Sequence, residues 1–163
     1  MPIINLKVSG QEDAALAQEL VNEIGRLTKD ILNKKPEVTV VIVSFVPDDL
    51  WFVNSVSLAQ LKTKSFHLEI KISDSTNLKV DKADYIKAVH NSLTSLLGSI
   101  HPVSYTAIQE MKADAYGYDG LTIEYKYINN QKIAAIQNEN HKTTPGNILA
   151  KHTARICAAS NSK

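Results

Sequence analysis

The chain repeats itself, and this constrains its fold more than any other feature of the sequence. Asn5-Leu6-Lys7-Val8-Ser9 matches Glu69-Ile70-Lys71-Ile72-Ser73, and Lys34-Lys35-Pro36-Glu37-Val38 falls opposite Ile100-His101-Pro102-Val103-Ser104. In the first half, residues 3–8 are short, β-branched and closed by Ser9-Gly10, which predicts a strand. Leu16, Leu20, Ile24, Leu27 and Ile31 then recur at helical spacing, and Ser9 with Glu12 has the pattern of a capping box at the helix start. After Asn33-Lys34-Lys35-Pro36, residues 38–43 are apolar on both faces, as expected of a buried central strand. In the second half Phe66, Leu68, Ile70 and Ile72 alternate with His67, Glu69 and Lys71. Ile86, Val89, Leu93 and Leu97 follow at helical spacing and stop at Gly98, and residues 105–111 supply a closing strand.

Two strand–helix–strand units predict an α/β (α+β) fold with one four-stranded sheet. Crossovers between neighbouring parallel strands have a fixed hand, so both helices fall on one face and leave the other bare. The doubly apolar second strand predicts that this bare face is covered by other copies of the chain. At 163 residues the chain has enough material for one domain, read as residues 1–128 with repeats at 2–55 and 66–128. Asp119-Gly120 signals a hairpin, and Leu121, Ile123, Tyr125 and Tyr127 alternate beyond it as in a further strand. Residues 129–163 turn to Asn, Lys, Thr and Gln with a Pro145-Gly146 breaker, and read as a partly disordered extension in which residues 133–136 form a short strand or helix.

Eighteen basic residues against seventeen acidic ones leave no surplus for a phosphate backbone, so nucleic acid is not an expected partner. Cys157 is alone, which excludes an internal disulfide and any Cys-x-x-Cys pair and suits a reducing compartment. The start lacks a signal-peptide pattern and no apolar run is long enough to cross a bilayer, so a soluble, cytoplasmic protein without membrane contact is expected. There is no phosphate-binding glycine loop and no zincin helix. His67, His90, His101, His141 and His152 form no local ligand pair, and neither metal nor cofactor is expected. Asp48-Asp49 follows Pro47 in a loop, where solvated carboxylates are ordinary.

Met1-Pro2 remains. Removal of Met1 leaves Pro2 as a secondary amine whose reference pKa, about 7.7–8.0, falls toward neutrality on partial burial or beside a lysine. A general base works best in that range. Met-Pro is also a common start, so the context decides: here the proline leads directly into the first strand of a repeated unit, which would hold the amine rigidly.

In order and spacing, Met1-Pro2, Lys34-Lys35-Pro36, Val46-Pro47-Asp48-Asp49-Leu50, residues 105–111 and Gly117-Tyr118 resemble the tautomerase superfamily with a catalytic amino-terminal proline, in particular macrophage migration inhibitory factor and its homologues. The resemblance spans roughly residues 1–123 and implies a homotrimer whose sheets enclose a central barrel, with a site at each subunit interface. It implies Pro2 as the catalytic base, Lys34 as the partner of the substrate carboxylate, Lys71 beside the proline, Tyr105 supplied by the neighbouring subunit and Tyr118 as an aromatic pocket wall. The residue types alone allow plainer roles: a helix-end lysine for Lys34, an exposed strand lysine for Lys71, and strand packing for both tyrosines.

This chain departs from the family at Asn54-Ser55, where relatives commonly have a glycine pair, and at Ala107, where they have a pocket asparagine. Val56-Ser57-Leu58-Ala59 holds none of the thiols of the oxidoreductase members. The expected activity is cofactor-free keto–enol isomerisation of a 2-oxo acid of the phenylpyruvate type. The alternative is a trimeric interaction protein with little or no catalysis. Decarboxylation or hydration, which uses paired arginines, is disfavoured because only Arg26 and Arg155 are present.

Overall fold

The computed structural model describes residues 2–142, with side chains through residue 133. Met1, His152, Arg155, Cys157 and the expected disorder of the far tail lie outside the described residues. The chain divides into two compact units, Met1–Lys112 and Ala113–Lys163.

The first unit holds strand β1 (Ile3–Ser9), helix α1 (Ala14–Asp30), strand β2 (Val40–Val46), a short hairpin of β3 (Phe52–Val53) and β4 (Val56–Ser57), helix α2 (Leu58–Leu61), strand β5 (Phe66–Ser73), helix α3 (Lys79–Leu97) and strand β6 (Tyr105–Met111). Its four-stranded sheet runs β2-β1-β5-β6. The β1–β2 and β5–β6 pairs are parallel and the central β1–β5 pair is antiparallel. This is the duplicated strand–helix–strand arrangement, with the two halves meeting at the paired residues Asn5 and Glu69.

Alternation sets the core. Ile4, Leu6, Val8, Phe66, Leu68, Ile70 and Ile72 are buried on one face, against Leu20, Ile24 and Leu27 of α1 and Tyr85, Val89 and Leu93 of α3. Both helices therefore cover the same face, and period-two strands bury their apolar half beneath them.

The bare face is more polar than expected. Its three cross-strand rows are Val40–Ile3–Lys71–Gln109, Ile42–Asn5–Glu69–Ala107 and Ser44–Lys7–His67–Tyr105. The second strand is an edge strand, not a central one: Val40 and Ile42 are nearly half exposed, while Val41, Val43 and Phe45 pack on the core. Its apolarity on both faces thus belongs to an edge that leaves one side open. The strand also begins later than predicted, because Pro36–Val38 forms a 3-10 turn.

Other differences have local causes. Asp13, not Ser9, caps α1: its carboxylate accepts from the N–H groups of Ala15 and Leu16 at 2.9 and 3.0 Å. In α3 Tyr85 is buried and Ile86 is exposed, so the aromatic takes the core-facing position one residue earlier. Asp48 is not simply solvated, because its Oδ2 lies 2.6 Å from Lys64 Nζ and its Oδ1 is buried. Asn54 and Ser55 both adopt left-handed backbone (φ 49° and 65°) in the turn between β3 and β4. A glycine pair would suit that turn, and Asn tolerates it better than Ser does.

The second unit holds the short strands β7 (Gly117–Tyr118) and β8 (Leu121–Thr122), then helix α4 (Ile123–Lys142). Asp119 and Gly120 turn the hairpin with φ 56° and 69°, as their types predict. The strand expected to continue through Tyr127 is instead helical from Ile123, and so are residues 133–136. The alternation of Leu121, Ile123, Tyr125 and Tyr127 reports no sheet face here: Tyr125 and Tyr127 are both exposed.

Candidate active site

The antiparallel central pair brings the start of β1 beside the end of β5. Pro2 is buried immediately before β1, and its carbonyl accepts the Val40 N–H at 3.1 Å. Ile3 faces Lys71, and Lys71 faces Gln109, so Lys71 belongs to the sheet end headed by Pro2.

Lys34 reaches the same end by another route. It follows α1 and is half-buried, and its ammonium donates to Thr76 Oγ1 at 2.8 Å in the loop after β5. Burial pulls the Lys34 pKa below the ordinary lysine value, and the nearby Glu110 and Asp81 work against that pull. Glu110 is itself paired with Lys82 at 2.9 Å. Lys35, next to Lys34 and directly before Pro36, is exposed.

Tyr105 is not at this end. It shares a row with Lys7 and His67, four residues along β6 from the Lys71–Gln109 row. At about 3.3 Å per residue this places it roughly 13 Å along the strand direction, outside contact range of Pro2 in the same subunit. It is 63% exposed. Tyr118 belongs to the second unit, where Lys126 Nζ lies 4.0 Å over its ring and 3.3 Å from Asp119 Oδ2.

One subunit thus sets Pro2, Lys71 and the Lys34–Thr76 contact at one end of the sheet and Tyr105 at the other. Clefts of about 540 Å³ between α1 and α3 and about 410 Å³ between α1 and β2 hold none of these residues. Among the described residues no three His, Cys, Asp or Glu side chains are grouped to hold a metal ion. No helix of the described residues is long and apolar enough to cross a membrane. Sequence reasoning missed Thr76, whose contact with Lys34 only the tertiary structure supplies.

The doubled strand–helix–strand unit is the fold seen in 4-OT and macrophage migration inhibitory factor-like structures, the fold that the sequence resemblance implied. It superposes on Pt0534, crystallised after inactivation by 2-oxo-3-pentynoate, with a TM-score of 0.67 at 9% identity, covering 76% of this chain and 98% of that one. A fused 4-OT that forms a symmetric trimer matches with a TM-score of 0.65 at 11% identity over 75% of this chain and 96% of the other. A macrophage migration inhibitory factor-like protein from Entamoeba histolytica matches with a TM-score of 0.62 at 19% identity, over 74% and 97% respectively. No protein-family model and no curated sequence matches the chain.

Proposed function

We propose that the chain is a cofactor-independent keto–enol tautomerase that acts on a 2-oxo acid of the phenylpyruvate type. It works as a homotrimer, with Pro2 as general base once Met1 is removed. The observation that carries this reading is that Lys71 pairs with Ile3, directly after Pro2, and that Lys34 binds Thr76 in the loop leaving the same end of β5. An amine flanked by cations has its pKa lowered toward neutrality, so free base and conjugate acid coexist. The free amine removes the enol O–H proton, or a C–H proton beside the carbonyl, and the resulting ammonium returns a proton at the other position. Lys34 meets the substrate carboxylate with N–H donors that its ammonium has to spare.

Tyr105 enters the site from a neighbouring subunit. Its place at the far end of its own sheet and its exposure support that assignment, as does the trimeric assembly of the fused 4-OT neighbour.

The test has two parts. Intact mass establishes loss of Met1, and phenylpyruvate enol decay is then followed for the native chain and Pro2→Gly; equal rates overturn the reading. 2-Oxo-3-pentynoate, which inactivates the neighbour Pt0534, supplies the covalent check. The expected result is one adduct on the N-terminal peptide, blocked by prior acetylation of the amine.

A second reading, a trimeric interaction protein without catalysis, is favoured by the exposure of Tyr125, Tyr127, Ile128 and Ile133 along α4. Retention of Met1, which acylates the proline nitrogen, would select it.

A further inference from the structure

We propose that Thr76 is a positioning residue that aims the Lys34 ammonium at the substrate carboxylate; this rests on the function proposed above. The Thr76 hydroxyl donates to the Ser73 carbonyl at 2.6 Å, while the other acceptor near it, Asn77 Oδ1, is farther away at 3.4 Å. A hydroxyl has one proton to give, so its lone pairs are left for the Lys34 ammonium at 2.8 Å. The contact is directional because the proton is already committed. One of the three Lys34 N–H donors is taken, and two remain to face a carboxylate.

The loop that carries Thr76 is itself pinned. The Asp74 N–H donates to the Met111 carbonyl at 2.9 Å, tying the loop to β6. Asn77 Nδ2 donates to the Leu32 carbonyl at 3.1 Å, tying it to the segment after α1 that leads to Lys34. Past the loop, the Leu78 N–H is held by Asp81 Oδ2 at 2.8 Å, which starts α3. Ser75 completes the turn with left-handed backbone, φ 58°. A flexible four-carbon lysine stem thus meets a fixed acceptor, and ordering the stem before substrate arrives removes an entropic cost from binding.

The experiment measures binding of 3-phenylpropanoate, a carboxylate with no keto group to tautomerise, by calorimetry, alongside enol-decay kinetics. Thr76→Val keeps the volume and loses the hydroxyl; it should weaken 3-phenylpropanoate and raise KM for phenylpyruvate by roughly tenfold, the worth of one hydrogen bond to a charged group, with kcat within about twofold. Thr76→Ser should restore both values. In a Lys34→Ala background Thr76→Val should change affinity by less than about twofold, whereas a merely structural Thr76 would carry its full effect into that background. Native affinity in Thr76→Val, or an undiminished effect without Lys34, overturns the proposal.

The two readings fail separately. Unchanged rates in Pro2→Gly with weakened binding in Thr76→Val remove the catalytic reading and leave Thr76 standing, and the reverse pattern does the opposite. A native chain that does not bind 3-phenylpropanoate overturns the proposal together with the substrate class.

Discussion

The hydrogen bond between Tyr85 and Thr28 joins α3 to α1 inside the apolar layer, and its two partners should not be equally costly to remove. Thr28 Oγ1 donates to the Ile24 carbonyl at 2.7 Å and lies 3.0 Å from the Tyr85 hydroxyl. With the Thr28 proton spent on Ile24, Tyr85 must be the donor. Both residues are 0% exposed. Tyr85→Phe removes a donor and leaves Thr28 its bond to Ile24, so the cost is about 1 kcal/mol. Thr28→Val leaves the Tyr85 O–H buried without an acceptor, which costs up to about 3 kcal/mol. The double variant strands nothing and should be more stable than Thr28→Val alone. Urea unfolding at one fixed protein concentration measures all four chains under equal conditions. A double variant less stable than Thr28→Val, with the two losses simply adding, refutes the assignment of donor and acceptor. Burial also pushes the Tyr85 hydroxyl up to about 12, with Thr28 opposing. Ultraviolet titration should therefore lose a late-ionising tyrosine on going from the native chain to Tyr85→Phe.

Hydrogen bonds from Arg26 and Ser92 hold Glu23 down to about 2, from 4.5. A carboxylate with a lowered folded-state pKa stabilises the fold above its unfolded value and loses that contribution as pH falls toward 2, so Glu23→Gln should converge on native stability across this window in acid unfolding. Lys34 carries the opposite sign. Its folded pKa lies below the ordinary lysine value, so the cost of burying its charge disappears as pH rises. KM for a 2-oxo acid should climb on the alkaline side before ordinary lysines titrate, and Lys35→Ala should leave that profile unchanged. Gly117→Ala should disrupt the second unit, because a Cβ there would collide with the Leu121 backbone; limited proteolysis near residues 113–122 is the readout.

Where side-chain periodicity met a single buried face, it located the elements well. Phe66, Leu68, Ile70 and Ile72 alternate as predicted and are all buried, and β6 spans residues 105–111 as read. Periodicity failed where nothing packs against the residues it marked. Leu121, Ile123, Tyr125 and Tyr127 alternate, yet the chain is helical from Ile123 and both tyrosines are exposed, so local pattern had no partner sheet to enforce it. The edge position of β2 was hidden for a related reason: strand order is set by crossovers, and an apolar run reads alike at the centre and at an edge. In the candidate site, Pro2 and Lys34 were legible as residues and Thr76 was not, because its hydroxyl acquires a task only when the loop after β5 meets the segment after α1.

The internal repeat also argues for how many sites a subunit can hold. Continuing the match of residues 5–9 with residues 69–73 back along the strands sets Pro2 against Phe66, and Lys7 against Lys71. Both sheet ends therefore keep a lysine on the bare face, but only the end at Pro2 carries the amine of the proposed function. Phe66 is buried in mid-chain and has an amide nitrogen without basicity, so duplication of the scaffold cannot duplicate an amine base. The second end instead presents Lys7 beside His67 and Tyr105 in one cross-strand row. Under the proposed function, that row is what the duplicated half offers across an interface: the Lys7, His67 and Tyr105 side chains, at a sheet end whose backbone nitrogens are all amides.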